Sequence, residues 1–297
     1  MPPSTETAVA GPPAAPAPAA PSGRTSGHGR ADRPGPWSRL PTWLRRTALL
    51  VALVAAWQGY VTAAGVSPLV FAGPLDVAAA FAEGWTGGAL VGPTLTTLRL
   101  LGLGMAIGMA LALLLTALAV GTRFGDDLLS LLTAMINPLP SVAVLPLAML
   151  WFGLNETALV FVVANAVLWP MAVNVGTGFR TVPATTLMVG RSLGLRGWRL
   201  IRDVRLPAAL PHAIAGVKTG WAFGWRTIIA AELVFGVAGA QGGLGFFINE
   251  ARYYLDIPGV FAGLVTIALI GIALDLLFTL LERRTVVRWG MKEGATI

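Results

Sequence analysis

The sequence contains no cysteine and very little charge. Only 12% of its 297 residues are charged, whereas soluble globular domains carry about 25%. The absence of cysteine excludes disulfide bonds, thiolate metal ligands and a thiol nucleophile. Two histidines are too few for a histidine-rich metal site, so we expect neither a metal nor a cofactor. No phosphate-binding G-x-x-x-x-G-K-[ST] motif and no Ser-His or His/Asp/Glu cluster occurs, so we expect no catalytic residues and no enzyme activity.

Apolar residues dominate the composition. They make up 55% of the chain, and the mean hydropathy is +0.72, which indicates an integral membrane protein. A helix needs about 20 apolar residues to cross a membrane. Six segments are long and apolar enough to be predicted as transmembrane helices: 47–75, 100–122, 128–155, 157–179, 212–237 and 257–274. The sequence therefore predicts an all-α membrane protein with six transmembrane helices.

The lysines and arginines predict the orientation. With the N-terminus inside, the cytoplasmic segments 1–46, 120–127, 179–212 and 282–297 hold 17 of the 21 basic residues, and the outer loops hold Arg252 alone. Basic residues concentrate on the cytoplasmic side of membrane proteins. We therefore expect both termini to be cytoplasmic. The net charge of +7 is explained by topology, so we expect no nucleic-acid partner.

The N-terminal segment has a different composition from the rest. Residues 1–46 contain 10 of the 21 prolines, with much alanine, glycine and serine. Such a segment cannot bury a core, so we expect a disordered cytoplasmic tail, either a solvated extension or a docking segment, followed by a first transmembrane helix over 47–66. A cleaved signal peptide ending near residues 62–64 is the alternative.

A basic loop interrupts the apolar segments at 183–207. Its part 188–207 carries five arginines interleaved with leucine, isoleucine and tryptophan. Gly194 and Gly197 are expected to divide it into two short amphipathic helices. By composition alone, this pair could lie on anionic membrane lipid or dock a soluble partner.

The order of the residues favours the protein partner. Read from Met188, the loop fits the pattern E-A-A, three residues, G, nine residues, I, one residue, L-P, with Gly194, Val204, Leu206 and Pro207 in register. In this it resembles the coupling loop of the permease subunits of bacterial ABC importers, which docks into the cytoplasmic ATPase subunit. The family's Glu-Ala-Ala is Met-Val-Gly here, so its glutamate is absent.

Further short motifs extend the resemblance over 90–290. They are 94–99 (TLTTLR), 138–141 (PLPS), 145–153 (LPLAMLWFG), 224–233 (GWRTIIAAEL), 242–245 (GGLG) and 281–289 (LERRTVVRW). In order and spacing they are similar to the permeases that import nitrate, sulfonates, taurine or bicarbonate. The resemblance implies a type I permease core in the last five helices, a second permease copy, two ATPase subunits and an extracytoplasmic binding protein. The residues that it implies for ATPase coupling are Met188, Gly190, Arg191, Gly194, Arg199, Leu206 and Pro207.

Charged and broken segments within the membrane are costly and need a reason. Arg226 and Glu232 are six residues apart, so they do not stack as an i,i+4 pair. We expect Lys218 to reach the cytoplasmic surface and Asp275 to make a helix-packing contact. The prolines of 137–146 free backbone carbonyls that only protein or a wet cavity can satisfy. The candidate translocation path consists of Asn137, Pro138, Pro140, Ser141, Arg226 and Glu232, with Asn165 and Asn174 as further polar candidates; each could instead contact a neighbouring helix.

These observations predict the membrane permease of an ATP-driven importer in the bacterial inner membrane. Its solute would be a small anion or organic molecule of the sulfonate, taurine, nitrate or bicarbonate class, with a pyrimidine-type vitamin precursor also open. ATP hydrolysis would come from a separate subunit. The alternative is a stand-alone ion-coupled secondary transporter, whose ionisable relay could use only Arg226, Glu232 and Asp275.

Overall fold

The computed structural model describes residues 41–119, 122–235, 242–282 and 284. Chain contacts divide the protein into two units, 1–51 and 52–297, and only residues 41–51 of the first unit are described. Within the described residues every regular element is helical, which agrees with the predicted all-α class. Residues 1–40 of the predicted tail lie outside the described residues. The first helix begins at Thr42, before the predicted end of the tail at position 46.

Ten α-helices are described. They are α1 (Thr42–Ala63), α2 (Pro74–Thr86), α3 (Val91–Ala119), α4 (Arg123–Ile136), α5 (Leu145–Phe152), α6 (Glu156–Arg180), α7 (Ala184–Ser192), α8 (Leu206–Phe235), α9 (Leu244–Tyr253) and α10 (Ile257–Glu282). A 3-10 turn (Ser141–Val144) precedes α5. A single helical turn (Trp198–Leu200) and a π-helical turn (Ile201–Arg205) lead directly into α8.

Three of these helices, α3, α6 and α10, are long and apolar enough to cross a membrane. The pair formed by α4 and the segment Ser141–Phe152 makes a fourth candidate, as a broken span or a re-entrant loop. α1 and α8 have the length but do not meet the same apolarity test, and α8 carries Lys218, Arg226 and Glu232. The membrane character is therefore confirmed, while the count of six spans remains a prediction.

Two predicted spans are not single helices. The segment 128–155 is broken where its prolines predict, because α4 ends at Ile136 and the chain bends by 91° between α4 and the segment Ser141–Phe152. Pro138 and Pro140 explain the break, since neither can donate a backbone hydrogen bond. The segment 47–75 is also divided: α1 ends at Ala63, and the chain turns at Gly65, whose φ of +59° suits glycine.

Side-chain caps fix several helix starts. Asn155 begins α6 by accepting a hydrogen bond from the Thr157 amide at 2.8 Å. Thr122 caps α4 by accepting from the Gly125 amide at 3.0 Å. Asp256 caps α10 by accepting from the Gly259 amide, also at 3.0 Å. Each cap satisfies an amide that has no partner inside its helix.

The core lies where α6 packs between α3 and α8. Of the three long apolar helices, α6 is the most buried. A Cβ atom added at Gly108 of α3 would lie 2.6 Å from the Ala164 carbonyl oxygen of α6, and one at Gly220 of α8 would lie 3.0 Å from Val167. Glycine at these positions lets the backbones approach closely, which is how membrane helices associate. This packing places one face of α8 and the broken segment, residues 137–146, around a common space.

Candidate functional site

A cavity of about 330 Å³ lies between the broken segment, α6 and α8. Five of the six residues predicted for the translocation path line it: Asn137, Pro138, Pro140, Ser141 and Arg226. The remaining lining residues are Ile136, Leu139, Val142, Asn165, Ala166, Trp169, Pro170, Phe223, Thr227 and Ala230. The structure therefore brings together residues from three separate parts of the sequence.

The backbone of the broken segment forms one wall of this cavity. Asn137 ends α4, with its amide bonded to the Thr133 carbonyl at 3.0 Å. The Leu139 amide then bonds to the Ile136 carbonyl at 3.0 Å, and the Pro140 carbonyl accepts from the Ala143 amide at 2.8 Å. These short-range turns replace the regular helical pattern, which fits the rule that irregular backbone at membrane depth lines a cavity or protein.

Arg226 is the ionisable residue of this cavity. It is exposed in the single chain, and no Asp or Glu oxygen lies within 4.0 Å of its guanidinium among the described residues. The cavity lining contains no carboxylate. Phe223, Thr227 and Ala230 share its face of α8 at helical spacing. The cavity wall thus carries one positive charge beside apolar and hydroxyl groups.

On the α6 side, Asn165 and Trp169 contribute to the cavity wall. Asn165 was a predicted polar candidate, and its Oδ1 accepts a hydrogen bond from Trp169 Nε1 at 3.0 Å. Asn174 is not part of the cavity; its Nδ2 donates to the Pro170 carbonyl at 2.8 Å. The sequence analysis missed Trp169 and Phe223, because an aromatic residue in an apolar helix looks the same whether it faces a cavity or lipid.

Glu232 is not among the residues that line the cavity. It is 2% exposed, and both carboxylate oxygens lie 2.9 Å from Thr97 Oγ1 of α3. The Gly245 amide donates to Glu232 Oε2 at 2.9 Å, and the Leu244 amide donates to Thr97 Oγ1 at 2.8 Å. We call Thr97, Glu232, Leu244 and Gly245 the outer clamp, because the distribution of lysine and arginine predicts this end of α8 on the outer side. It joins α3, α8 and the first turn of α9.

Two glycines make room for this clamp. A Cβ atom at Gly243 would overlap Glu232 Oε1 and Thr97 Oγ1. A Cβ at Gly245 would lie 2.6 Å from Glu232 Cβ and 2.7 Å from the Ile229 carbonyl oxygen. Gly243 and Gly245 of the Gly-Gly-Leu-Gly motif are therefore explained by close packing on a buried carboxyl group at the N-terminus of a helix, where amides are free to donate.

Lys218 and Asp275 have different surroundings. Lys218 Nζ donates to Thr279 Oγ1 of α10 at 3.1 Å and lies 3.4 Å from Glu282 Oε2. Lys218 therefore contacts the last turns of a neighbouring helix, and the expectation that it reaches the cytoplasmic surface stays a prediction. Asp275 lies on the exposed side of α10.

The loop between α6 and α8 divides at its glycines as predicted, but only its first half is a separate short helix, since the second half runs directly into α8. α7 ends at Ser192, and the next helical turn starts at Trp198. Gly194 and Gly197 between them have φ values of +81° and +54°, a region that L-residues rarely adopt. Gly190 is buried, and a Cβ there would lie 2.8 Å from Leu200 Cδ1. The two halves of the loop are thus packed on each other.

Most of the residues predicted for ATPase coupling are solvent-exposed. Of these residues, Met188 and Leu206 are each more than half exposed, and so are Leu193 and Trp198 of the same loop. Arg191, Arg199 and Pro207 are exposed as well. The π-helical turn before Pro207 has a physical cause: a proline clashes with the carbonyl four residues earlier and lacks a donor, so a regular turn is disfavoured. Exposed apolar groups among arginines form a surface suited to a protein partner.

Comparison with known proteins gives three findings. The family described as binding-protein-dependent transport system inner membrane component matches residues 104–287. The aliphatic sulfonates transport permease protein of Bacillus subtilis (strain 168) is 30% identical over 247 residues, covering 83% of this chain and 88% of that protein. The riboflavin transport system permease protein of Chloroflexus aurantiacus is 35% identical over 240 residues, covering 81% and 88%.

A solved structure shares the fold. The crystal structure of an amino acid ABC transporter with histidines matches with a TM-score of 0.55 at 21% identity. The match covers 70% of this chain and 97% of that chain.

Proposed function

The chain belongs to the family of inner membrane components of binding-protein-dependent transport systems, and from this premise we propose that it imports a small organic oxyanion of the aliphatic sulfonate class. As an ABC importer permease it is a transport subunit of a multi-pass membrane assembly, and its family works with ATPase subunits and a solute-binding protein. The observation that carries the proposed solute is the cavity around Arg226, which has a cation and no carboxylate in its lining.

In the proposed path, the broken segment and Arg226 form the wall along which the solute passes. Asn137, Ser141 and the carbonyls beside Pro138 and Pro140 supply polar groups at membrane depth. Arg226 attracts the anion. Glu232 acts next to the path, where the outer clamp holds the start of α9.

The proposed coupling surface is the exposed side of the loop 188–207. Its apolar residues would enter a cleft of the ATPase subunit, and Arg191 and Arg199 would pair with acidic groups there in place of the family's absent glutamate. Two copies of the chain would pair in the membrane, with both termini in the cytoplasm. ATP-driven closure of the ATPase subunits would then move the loops and expose the path to the outside.

Uptake by reconstituted vesicles tests this function. Vesicles that contain the permease and its ATPase subunits, with the binding protein outside, should accumulate ethanesulfonate only with ATP inside. Arg199→Glu should weaken ATPase association by roughly tenfold, because it reverses a charge at the docking surface. Arg252→Glu is the matched control, because Arg252 is on the far side of the predicted membrane. Uptake without any ATPase subunit would contradict the proposal and support the secondary transporter.

The absence of native cysteine gives a direct test of the orientation. Ser192 within the loop and Tyr254 after α9 are both exposed, so Ser192→Cys and Tyr254→Cys can each carry a single label. In intact cells, an impermeant thiol reagent should label the position-254 cysteine and leave the position-192 cysteine unlabelled. The reverse pattern would place the coupling loop outside and contradict its proposed role.

A further inference from the structure

We infer that the permease has its own solute site at Arg226, which selects singly charged organic anions over zwitterions. The inference rests on the proposed function and deepens it, because it assigns part of the selectivity to the membrane subunit. A volume of about 330 Å³ is at the lower end of the range of small-molecule sites, about 300–1,000 Å³. The space thus suits a small solute.

The state of Arg226 differs from that of the arginines of α3 and α6 and of the lysine of α8. Arg99 pairs with Glu156, Arg180 with Asp126, and Lys218 with Glu282. Arg226 has no such partner among the described residues. A charge at membrane depth is costly without a partner, and a bound anion would compensate it.

The other groups of the cavity match a short organic anion. A guanidinium binds an oxyanion through two parallel hydrogen bonds. Ser141 and Thr227 add hydroxyl groups near the same wall, and Asn137 adds an amide. Phe223, one turn before Arg226 on the same face of α8, offers apolar surface for the carbon chain.

The charge of the lining determines which anions fit. Arg226 is its one formal charge, and the buried carboxylate of Glu232 is held by Thr97 and Gly245 outside the cavity. An ammonium group on the solute would meet no carboxylate and would be repelled by the guanidinium. Ethanesulfonate and taurine are a matched pair for this point, since they differ only by the terminal ammonium group.

Equilibrium binding to the complex of the permease with its ATPase subunits tests the inference. The complex is placed in lipid nanodiscs without binding protein or nucleotide, so that the permease supplies the solute site. Labelled ethanesulfonate should bind about tenfold or more tightly than labelled taurine, the scale of one charge-assisted interaction. Arg226→Gln should lose about tenfold in ethanesulfonate affinity, and Arg226→Lys should lose less. Arg252→Gln removes an equal charge from an exposed position outside the cavity and should bind like the wild type.

Equal affinity for the two solutes, no ethanesulfonate binding, or unchanged binding by Arg226→Gln would each overturn the inference. The comparison of the two solutes uses the unmodified protein, so it decides the question even where an Arg226 variant fails to assemble. Failure of the proposed function is seen separately. ATP-driven ethanesulfonate uptake without binding to the permease would overturn this inference alone, whereas uptake without an ATPase subunit would overturn the proposed function.

Discussion

Replacing Thr97 with valine should destabilise the protein more than replacing it with serine. In the outer clamp the Thr97 hydroxyl accepts a hydrogen bond from the Leu244 amide at 2.8 Å and donates to the Glu232 carboxylate at 2.9 Å. Thr97 is fully buried, so water does not replace either bond. Valine has nearly the volume of threonine but leaves both groups without this partner.

The expected magnitude follows from the two lost contacts. An unsatisfied buried polar group costs about 1–3 kcal/mol. Measured hydrogen bonds between membrane helices average about 0.6 kcal/mol and reach about 1.7 kcal/mol. We therefore expect Thr97→Val to lower the free energy of unfolding by about 1–3 kcal/mol. Thr97→Ser keeps the hydroxyl and loses one methyl group, which costs about 0.8 kcal/mol.

Equilibrium unfolding of the three proteins in the same detergent measures this order. A valine variant at least as stable as the serine variant would refute the clamp as a stabilising contact, because packing volume alone favours valine. A double-mutant cycle gives a second measure. Thr97→Val combined with Glu232→Gln should cost less than the sum of the two single changes, since both remove the same bond.

Two other predictions concern glycines. Gly108→Ala should destabilise by about 1–3 kcal/mol in unfolding measurements, because its Cβ would lie 2.6 Å from a backbone oxygen, whereas Gly102→Ala on the same helix has open space and should be neutral or stabilising. Equal effects of the two changes would contradict the close packing of α3 on α6. Gly190→Leu should reduce ATPase binding by separating the halves of the coupling loop, while Gly190→Ala displaces only the side-chain ends of Leu200 and Val204 and should bind nearly normally. Pull-down of the ATPase subunit checks both variants, and full binding by the leucine variant would count against the packed loop.

The sequence predicted some elements closely because their boundary residues are polar. The span predicted over 157–179 is α6, which the structure bounds by Glu156 and Arg180. The span predicted from Leu100 begins instead at Val91, because Thr94 satisfies its hydroxyl on the Leu90 carbonyl at 2.7 Å and so fits a buried helix. A threonine whose hydroxyl is bonded to the helix backbone thus fits an apolar helix better than its residue type suggests.

The contacts of the charged residues were less accessible from sequence. Prolines predicted a break near Asn137, but no local pattern gives the 91° bend at that break. The sequence groups Glu232 with Arg226 because the two residues are close in the chain. In the structure the partner of Glu232 is Thr97, which is 135 residues away. Such pairs depend on how whole helices pack, and the hydrophobic pattern of a membrane helix contains little of that information.

The glycine contacts along α6 also limit how the bundle changes shape. Val163 and Val167 fill the spaces left by Gly104 and Gly108 of α3, and Val167 also packs against Gly220 and Gly224 of α8. Side chains interlocked at this distance have no room to slide past one another. α3, α6 and α8 should therefore tilt as a single stiff block during each transport cycle, with the bending confined to the connections around it.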